Sequence, residues 1–521
     1  MPEMTEFERT QIKDTIERSI RQGIRAPEFG DGKDWLNVSR PLSLKEDLAG
    51  RVVLLDFWTF CCINCIHVLP DLAYLEKRFE DEPFAVVGVH SAKFENERDA
   101  DNIRQAVLRY GIAHPVVSDP GFDIWQRYGA GAWPTLMVLG PDGYVLSAMS
   151  GEGHREELEK LIVVALEIYR AKGKLAPRPL PLALERARVA PGELSFPGKI
   201  AVDAAGGRLF VADSSHDRLV VMGLDGRVIE TIGGSAPGLA DGDYDAARFT
   251  KPQGLALGDG VLYVADTGNH AVRKVDLAAR TVTTIAGTGR QGYDRTGGGR
   301  ATTLNLASPW DLLLDGSTLY VAMAGSHQLW TIDLAAGTAR AFAGSGREAR
   351  VDGALATAAL AQPSGLALAG RRLVFADSES SSIRAVDLDA GKVVTLAGAS
   401  PIAQDLFSFG DADGRGMAAK LQHPLGVAAA PDGTVLVADS YNHRIKRLDP
   451  VTGEIVTVAG SGEPGAADGP VKEASFSEPG GLAVAGNLIY VADTNNHRVR
   501  VVDLAAGTVS TLGAAVPQAA R

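Results

Sequence analysis

Cysteine is the scarcest informative residue of this chain. There are three in 521 residues, all inside the pentapeptide Cys61-Cys62-Ile63-Asn64-Cys65. A framework of stabilising disulfides is thereby excluded, and clustered thiols in a reducing compartment are more often redox-active or metal-binding than structural. Long apolar runs are missing too. Met1 to Arg25 alternates charges with short apolar residues, unlike a secretory signal, and no stretch approaches the length of a membrane span, so a soluble cytoplasmic protein without a membrane partner is expected. Positive charge is in deficit, with 52 Lys and Arg against 64 Asp and Glu and a net charge of −12, which leaves nucleic acid a minor hypothesis. What the chain does have is length and 45% hydrophobic residues, more than one core usually organises, so at least two domains are expected.

The two halves differ in period. Up to about residue 170, buried strand-like runs alternate with helical segments, the mark of an α/β unit. Arg51–Trp58 reads as a strand, Ile66–Phe79 as a helix, Phe84–His90 as a strand and Glu97–Tyr110 as a helix. Strand Thr135–Leu139, the turn Pro141-Asp142-Gly143, strand Tyr144–Met149 and helix Glu156–Tyr169 close the unit. An N-terminal helix is assigned to residues 1–25 and the α/β domain to 26–170. Residues 171–181, with Pro177, Pro179 and Pro181, read as an extended, semi-rigid interdomain linker.

From Leu182 to the end, residues 182–521, one phrase recurs six times: VADSSHDRL, VADTGNHAV, VAMAGSHQL, FADSESSSI, VADSYNHRI and VADTNNHRV. A proline precedes the Asp position of each copy by 14 to 16 residues (Pro197, Pro252, Pro309, Pro363, Pro424, Pro479), and in five copies an aspartate follows it by ten. A period of 53 to 62 residues holding four short β-runs predicts a propeller of six blades. The phrase resembles the NHL repeat, whose Asn-His pair stands here as Asn269-His270, Asn442-His443 and Asn496-His497. The third copy has Met323 in place of Asp and the fourth lacks both Asn and His, so those two blades are expected to lose the usual turn contacts and keep their sheets. His270, His327, His443 and His497 recur blade by blade, which marks them as turn or packing elements rather than catalysts. The aspartates of the phrase read as caps of backbone N–H groups. Leu182–Val189 is left as either an extra edge strand or part of a swapped closure with Thr508–Leu512.

A thiolate is the nucleophile in disulfide exchange, and a helix start favours the anion. Cys62-Ile63-Asn64-Cys65 lies between the first long strand and the helix that follows. Its surroundings resemble the thioredoxin family over roughly residues 26–170: Asp56-Phe57-Trp58 before the pair, Pro70 five residues after Cys65, and Trp133-Pro134-Thr135 like the family's cis-proline segment. The resemblance implies that Cys62 attacks, Cys65 resolves, Asp56 exchanges the proton of Cys65, and Pro134 sets backbone beside Cys62 for an extended substrate. The chain departs from the family in having Cys61 where a Trp precedes the first cysteine and Ile63-Asn64 where Gly-Pro separates the pair. Cys61, Asn64, Trp58 and Trp133 are therefore expected modulators.

No cofactor or metal is expected. Cys62, Cys65 and His67 could converge on a metal, but copper-carrying thioredoxin-fold proteins add a histidine where this chain has Trp133. Ile66 after the pair excludes covalent haem, and Leu55 replaces the proline of the peroxiredoxin signature. The order of an α/β thioredoxin-like domain and an all-β six-bladed NHL propeller is similar to a family of NHL-repeat-containing proteins that share the Cys-Cys-Ile-Asn-Cys string. Longer members add a C-terminal β-domain, which is not expected here after Arg521. This resemblance implies a cytosolic thiol-disulfide oxidoreductase whose protein substrate or partner is recognised by the propeller face and the cysteine surface. The alternative is a non-catalytic scaffold in which the thioredoxin fold is a docking module. The first reading requires both sulfurs at the helix tip, open to water and facing Pro134.

Overall fold

The apolar run after Arg51 forms the centre of a six-stranded sheet because every residue from Val52 to Trp58 is buried, as a strand covered on both faces requires. The computed structural model describes residues 4–190, 192–234 and 236–513. They divide into two compact units, Met1–Pro191 and Gly192–Arg521.

In the first unit the order is α1 (Glu6–Gln22), β1 (Trp35–Leu36), β2 (Val52–Trp58), α2 (Ile63–Arg78), β3 (Phe84–His90), α3 (Ala100–Tyr110), β4 (Val116–Ser118), α4 (Asp123–Tyr128), β5 (Thr135–Leu139), β6 (Val145–Ser150) and α5 (Arg155–Ala171). The sheet runs β1-β4-β3-β2-β5-β6. Strand β2 pairs in parallel with β3 and antiparallel with β5, with Asp56 opposite Gly88 and Phe57 opposite Thr135. Alternation sorts the side chains of β2: Val53, Leu55 and Phe57 enter an apolar cluster with Phe29, Leu48 and Ile124, which leaves Asp56 and Trp58 to the other face. Strands β1 and β4 and helix α4 are short, and sequence periodicity does not reveal them.

The segment 171–181, expected as a linker, lies along the first unit instead. Ala176 N–H donates to Gly50 O (3.2 Å), Ser39 N–H to Pro181 O (2.9 Å), and Val38 bridges Leu182. The turn Glu185–Arg188 stays with it, since Glu185 N–H donates to Asn37 Oδ1 (2.9 Å) and Arg104 holds the Glu185 carboxylate (3.0 Å). The propeller therefore begins at Gly192 and not at Leu182. Proline removes donors but leaves carbonyls, and an extended strap can still accept hydrogen bonds.

The second unit is a ring of six blades. The first has four antiparallel strands, Pro197–Asp203, Arg208–Asp213, Arg218–Gly223 and Val228–Ile232, and each later blade adds a two- or three-residue strand at its outer edge. The apolar cores lie between blades. One cluster joins Phe210 of the first blade to Leu262 of the second, and another joins Val211 of the first to Tyr490 of the sixth. A blade that hides its faces only against neighbours gains little stability alone.

The repeated phrase supplies the polar joints. In five blades the buried aspartate accepts a backbone N–H from the chain just before the proline: Ser195, Thr250, Ala361, Gln422 and Ser477 donate to Asp213, Asp266, Asp377, Asp439 and Asp493 at 2.6–2.8 Å. In the third blade Met323 Sδ takes that place, with Ala307 N at 3.4 Å. Seven residues on, Arg273, Arg384 and Arg500 pair with the aspartate at 2.7–2.9 Å, both partners fully buried. The third blade has buried Trp330 there. Aspartate and arginine have thus been exchanged together for methionine and tryptophan, which leaves no uncompensated charge.

The residue four after the aspartate, at positive φ, latches each blade to the next. Its side chain accepts the N–H of the residue before the following blade's proline: Asp217 from Lys251, His270 from Ser308, His327 from Gln362, Ser381 from His423 and His443 from Glu478, at 2.9–3.2 Å. The fourth blade therefore keeps the turn contacts expected to be lost, through Ser380 and Ser381. His497 accepts from Phe196 at 3.1 Å, and Thr494 Oγ1 donates to Pro197 O at 2.9 Å, so the sixth blade meets the first with the joint used elsewhere. Neither an extra edge strand at Leu182–Val189 nor a swapped closure is formed among the described residues.

Arg384→Met leaves Asp377 charged, buried and unpaired, and is expected to cost about 3–5 kcal/mol in urea unfolding of the full chain, whereas Asp377→Met with Arg384→Trp recovers most of that loss. Burial holds His327 and His443 below the ordinary histidine pKa. The unfolded chain thus takes up protons first, and the stability these latches give is full above about pH 6.5 and lost as pH falls from there towards the folded values. His443→Ser, which copies the fourth blade's acceptor, is expected to flatten the acid limb of the unfolding midpoint.

Candidate functional site

Helix α2 starts at Ile63, three residues before the expected Ile66, because Cys62 keeps an extended backbone (φ −76°, ψ 118°) and serves as its N-cap while Ile63, Asn64 and Cys65 wind the first turn. Cys62 O accepts the N–H of Ile66 at 3.0 Å. Cys62 has no side-chain capping bond, so its sulfur is left for other chemistry. Asn64 is half-buried on the same turn.

All three cysteines are free thiols and all are buried, at 2% exposure for Cys61, 5% for Cys62 and 0% for Cys65. The expectation of a pair open to water is thereby corrected: only the edge of Cys62 meets solvent, because the helix turn carries Cys65 inward over β2. Cys61 is held by Glu97, whose Oε1 accepts the Cys61 N–H at 3.0 Å while Oε2 accepts those of Lys93 (2.7 Å) and Phe94 (3.0 Å). Its sulfur lies 3.9 Å from Thr59 Oγ1. Burial pushes the Cys65 thiol well above the usual range, and its hydrogen bond to the Cys62 sulfur and the nearby charge of Asp56 push the same way.

Asp56 is fully buried on β2, and neither carboxyl oxygen has a hydrogen-bond partner among the described residues. Burial raises its pKa to about 7, and the proximity of His114 only partly offsets that. An unpaired carboxyl in this range exchanges protons near neutrality. The Trp58 ring is buried beside it, 5.1 Å and edge-on from His90.

The Trp133–Pro134 bond is cis. With Thr135 opposite Phe57, Pro134 sits next to Trp58 at the end of β2 from which the cysteine segment departs. Trp133 donates to Ser91 O (3.0 Å) and packs against Trp125 (4.5 Å) and Phe122 (5.9 Å), an aromatic rim beside the proline. Sequence reading passes over Glu97, His90 and His114. Only Glu97 leaves a sequence trace, as a carboxylate two residues before the Asp99 that caps α3.

Two family models match this chain, Thioredoxin-like over residues 50–145 and NHL repeat over residues 249–275, 421–448 and 476–502. The three matched repeats are those that carry the Asn-His pair. The chain is 49% identical over 499 residues to Protein SUPPRESSOR OF QUENCHING 1, chloroplastic, of Arabidopsis thaliana, covering 93% of this chain and 47% of that protein. It is 45% identical over 518 residues to NHL repeat-containing protein 2 of Bos taurus, covering 94% of this chain and 71% of the other. A shorter likeness, 30% over 114 residues, joins it to Thiol-disulfide oxidoreductase ResA of Bacillus anthracis, with 22% of this chain and 63% of that one covered. The chain thus spans about half the length of the plant relative. A thioredoxin-like unit, a six-bladed propeller and an alignment spanning nearly all of the chain agree that it belongs to the family of NHL repeat-containing protein 2.

Proposed function

We propose that this protein is a thiol-disulfide oxidoreductase whose propeller recognises the protein substrate. The observation that carries the reading is the stacking of an unpaired, buried Asp56 carboxyl beneath the first turn that holds Cys62 and Cys65. The Cys62 thiolate attacks a substrate disulfide, forms a mixed disulfide and expels one substrate thiolate. Asp56 takes the proton of Cys65, and the Cys65 sulfur displaces the second substrate thiol from Cys62. The substrate gains two electrons, the pair becomes a disulfide, and a dithiol reductant restores it. Cys62 keeps the larger exposure and Cys65 none, the order these roles require. Pro134 and the aromatic rim support an extended peptide docking at the end of β2.

The scaffold reading has one observation in its favour, the near-complete burial of the sulfurs. The two part in a direct assay. The full chain is expected to reduce an insulin-type disulfide with dithiol reductant present, Cys62→Ser to abolish this, and Cys65→Ser to accumulate a mixed disulfide visible by mass spectrometry. A wild-type chain that neither reduces insulin nor alkylates at Cys62 at neutral pH refutes the redox reading and leaves the scaffold.

Asp56→Asn separates function from stability. As general base, Asp56 is expected to contribute roughly a hundredfold or more to the resolving step. With its pKa raised to about 7, the carboxylate costs nothing below about pH 4, where both states are protonated. Above pH 7 it costs the fold about 4 kcal/mol, taking 1.36 kcal/mol per pKa unit. Asp56→Asn is therefore expected to slow resolution and to raise the hydrogen-exchange protection of β2 at pH 8 but not at pH 4.

A further inference from the structure

The proton that Asp56 takes from Cys65 has to leave a carboxyl sealed between the sheet and α2. Parallel pairing sets Gly88 of β3 opposite Asp56 and also opposite Val116 of β4. A β-carbon at Gly88 would lie 2.9 Å from Trp58 Nε1 and 3.5 Å from His114 Nε2. The absent side chain thus lets both ring nitrogens approach Gly88 on the Asp56 face of the sheet. Both are buried and, like the Asp56 oxygens, lack hydrogen-bond partners among the described residues. Buried polar atoms without partners are rare enough to need an explanation.

His114 is oriented from its other side. Its Nδ1 stands 3.3 Å from Glu76 Oε2 of α2. A carboxylate there calls for the proton on Nδ1, which leaves the Nε2 lone pair directed towards Gly88. Glu76 and His114 in turn line a surface cavity of about 290 Å³ with Arg51, Glu80, Pro115 and Leu180. Asp56, His114, Glu76 and this cavity follow one another from the cysteine side of the sheet to solvent, with a gap between the Asp56 carboxyl and Nε2 that no direct hydrogen bond spans.

We propose that His114, backed by Glu76, is the relay through which Asp56 exchanges its proton with the solvent of that cavity, so that the proton need not pass the substrate-covered cysteines. The inference rests on the oxidoreductase reading. The step moves one proton and no electrons: Asp56 gives its proton to Nε2 by way of one water between them, and Nδ1 releases one to Glu76 and thence to water. His114 acts through Asp56 and is a positioning residue, since it touches neither sulfur nor substrate. The charged or titratable groups facing the series are Cys65 and Glu76 from α2, His90 from β3, and Arg51 and Glu80 at the cavity. His90 is stacked on Phe60 and edge-on to Trp58, and burial lowers its pKa to about 3, so it stays neutral throughout.

The test follows Asp56 and the resolving step separately, in the full-length chain. Infrared difference spectra against Asp56→Asn report the protonated carboxyl of Asp56 with no need of turnover. Loading Cys62 with glutathione and timing its release gives the resolving rate against pH. In His114→Gln the Asp56 band is expected to persist to higher pH, because the electrostatic influence of His114 that partly offsets burial is removed. The resolving rate at pH 7 falls at least threefold, recovers above pH 8, and is restored by added imidazole. Glu76→Gln, half-exposed and safer for folding, is expected to act in the same direction more weakly. An Asp56 titration unmoved in both variants, or a rate loss equal at every pH and untouched by imidazole, overturns the relay. A wild-type chain that titrates as expected but never releases glutathione fails the redox reading alone, whereas the infrared result still decides His114.

Discussion

A carboxyl group withdrawn from water without a hydrogen bond is among the costliest things a sheet can hold, and here the first unit is arranged around one. All seven residues of β2 are buried and six of them are apolar, so Asp56 is the one polar side chain the strand seals in. Asp56 is then fixed under the first turn of α2, and Cys65 over it, by the strand and helix together. Burial raises the energy of both charged forms, and the nearby charge of Asp56 raises that of Cys65 further. The two cysteines, three positions apart, differ in setting: Cys62 is the helix N-cap with an edge at the surface, and Cys65 is fully buried with its thiol pushed up.

The propeller solves a different problem with one repeated joint. Its cores lie between blades, so closing the ring matters more than the strength of any blade. A residue in left-handed conformation sends its side chain across to the next blade's backbone, and histidine, aspartate and serine all serve because each offers one acceptor at about the same reach. This is why the Asn-His signature can vanish from the fourth blade without loss of the joint. The third blade shows the same tolerance in its interior, where a charge pair and an apolar pair fill equivalent places. Blades that diverge in sequence therefore remain equal in structure, and the NHL family model recognises only three of them.

Burial of the cysteines bears on what the site would admit. With 5% of Cys62 exposed, the sulfur presents only an edge, which an extended strand laid beside Pro134 would meet. The rim of Trp133, Trp125 and Phe122 offers such a strand apolar contact, and Lys93, 5.7 Å over the Trp133 ring, adds a cation.

The sequence alone determined what is local: the strand before the cysteines, the helix after them, the proline segment, and the number of blades from the count of a repeated phrase. Periodicity of two or of 3.6 residues and recurrence at a fixed interval are properties of contiguous residues, and they can be read in order. It misplaced the strap 171–181, because proline signals an absence of donors and says nothing about where the carbonyls go. Only the tertiary structure decided that Asp56, Gly88 and His114 meet, that Glu97 holds Cys61 in place, and that His497 closes the ring on Phe196. Those contacts join residues tens to hundreds of positions apart. No pattern along the chain encodes them, since parallel strand pairing and ring closure bring together groups whose spacing in sequence is arbitrary.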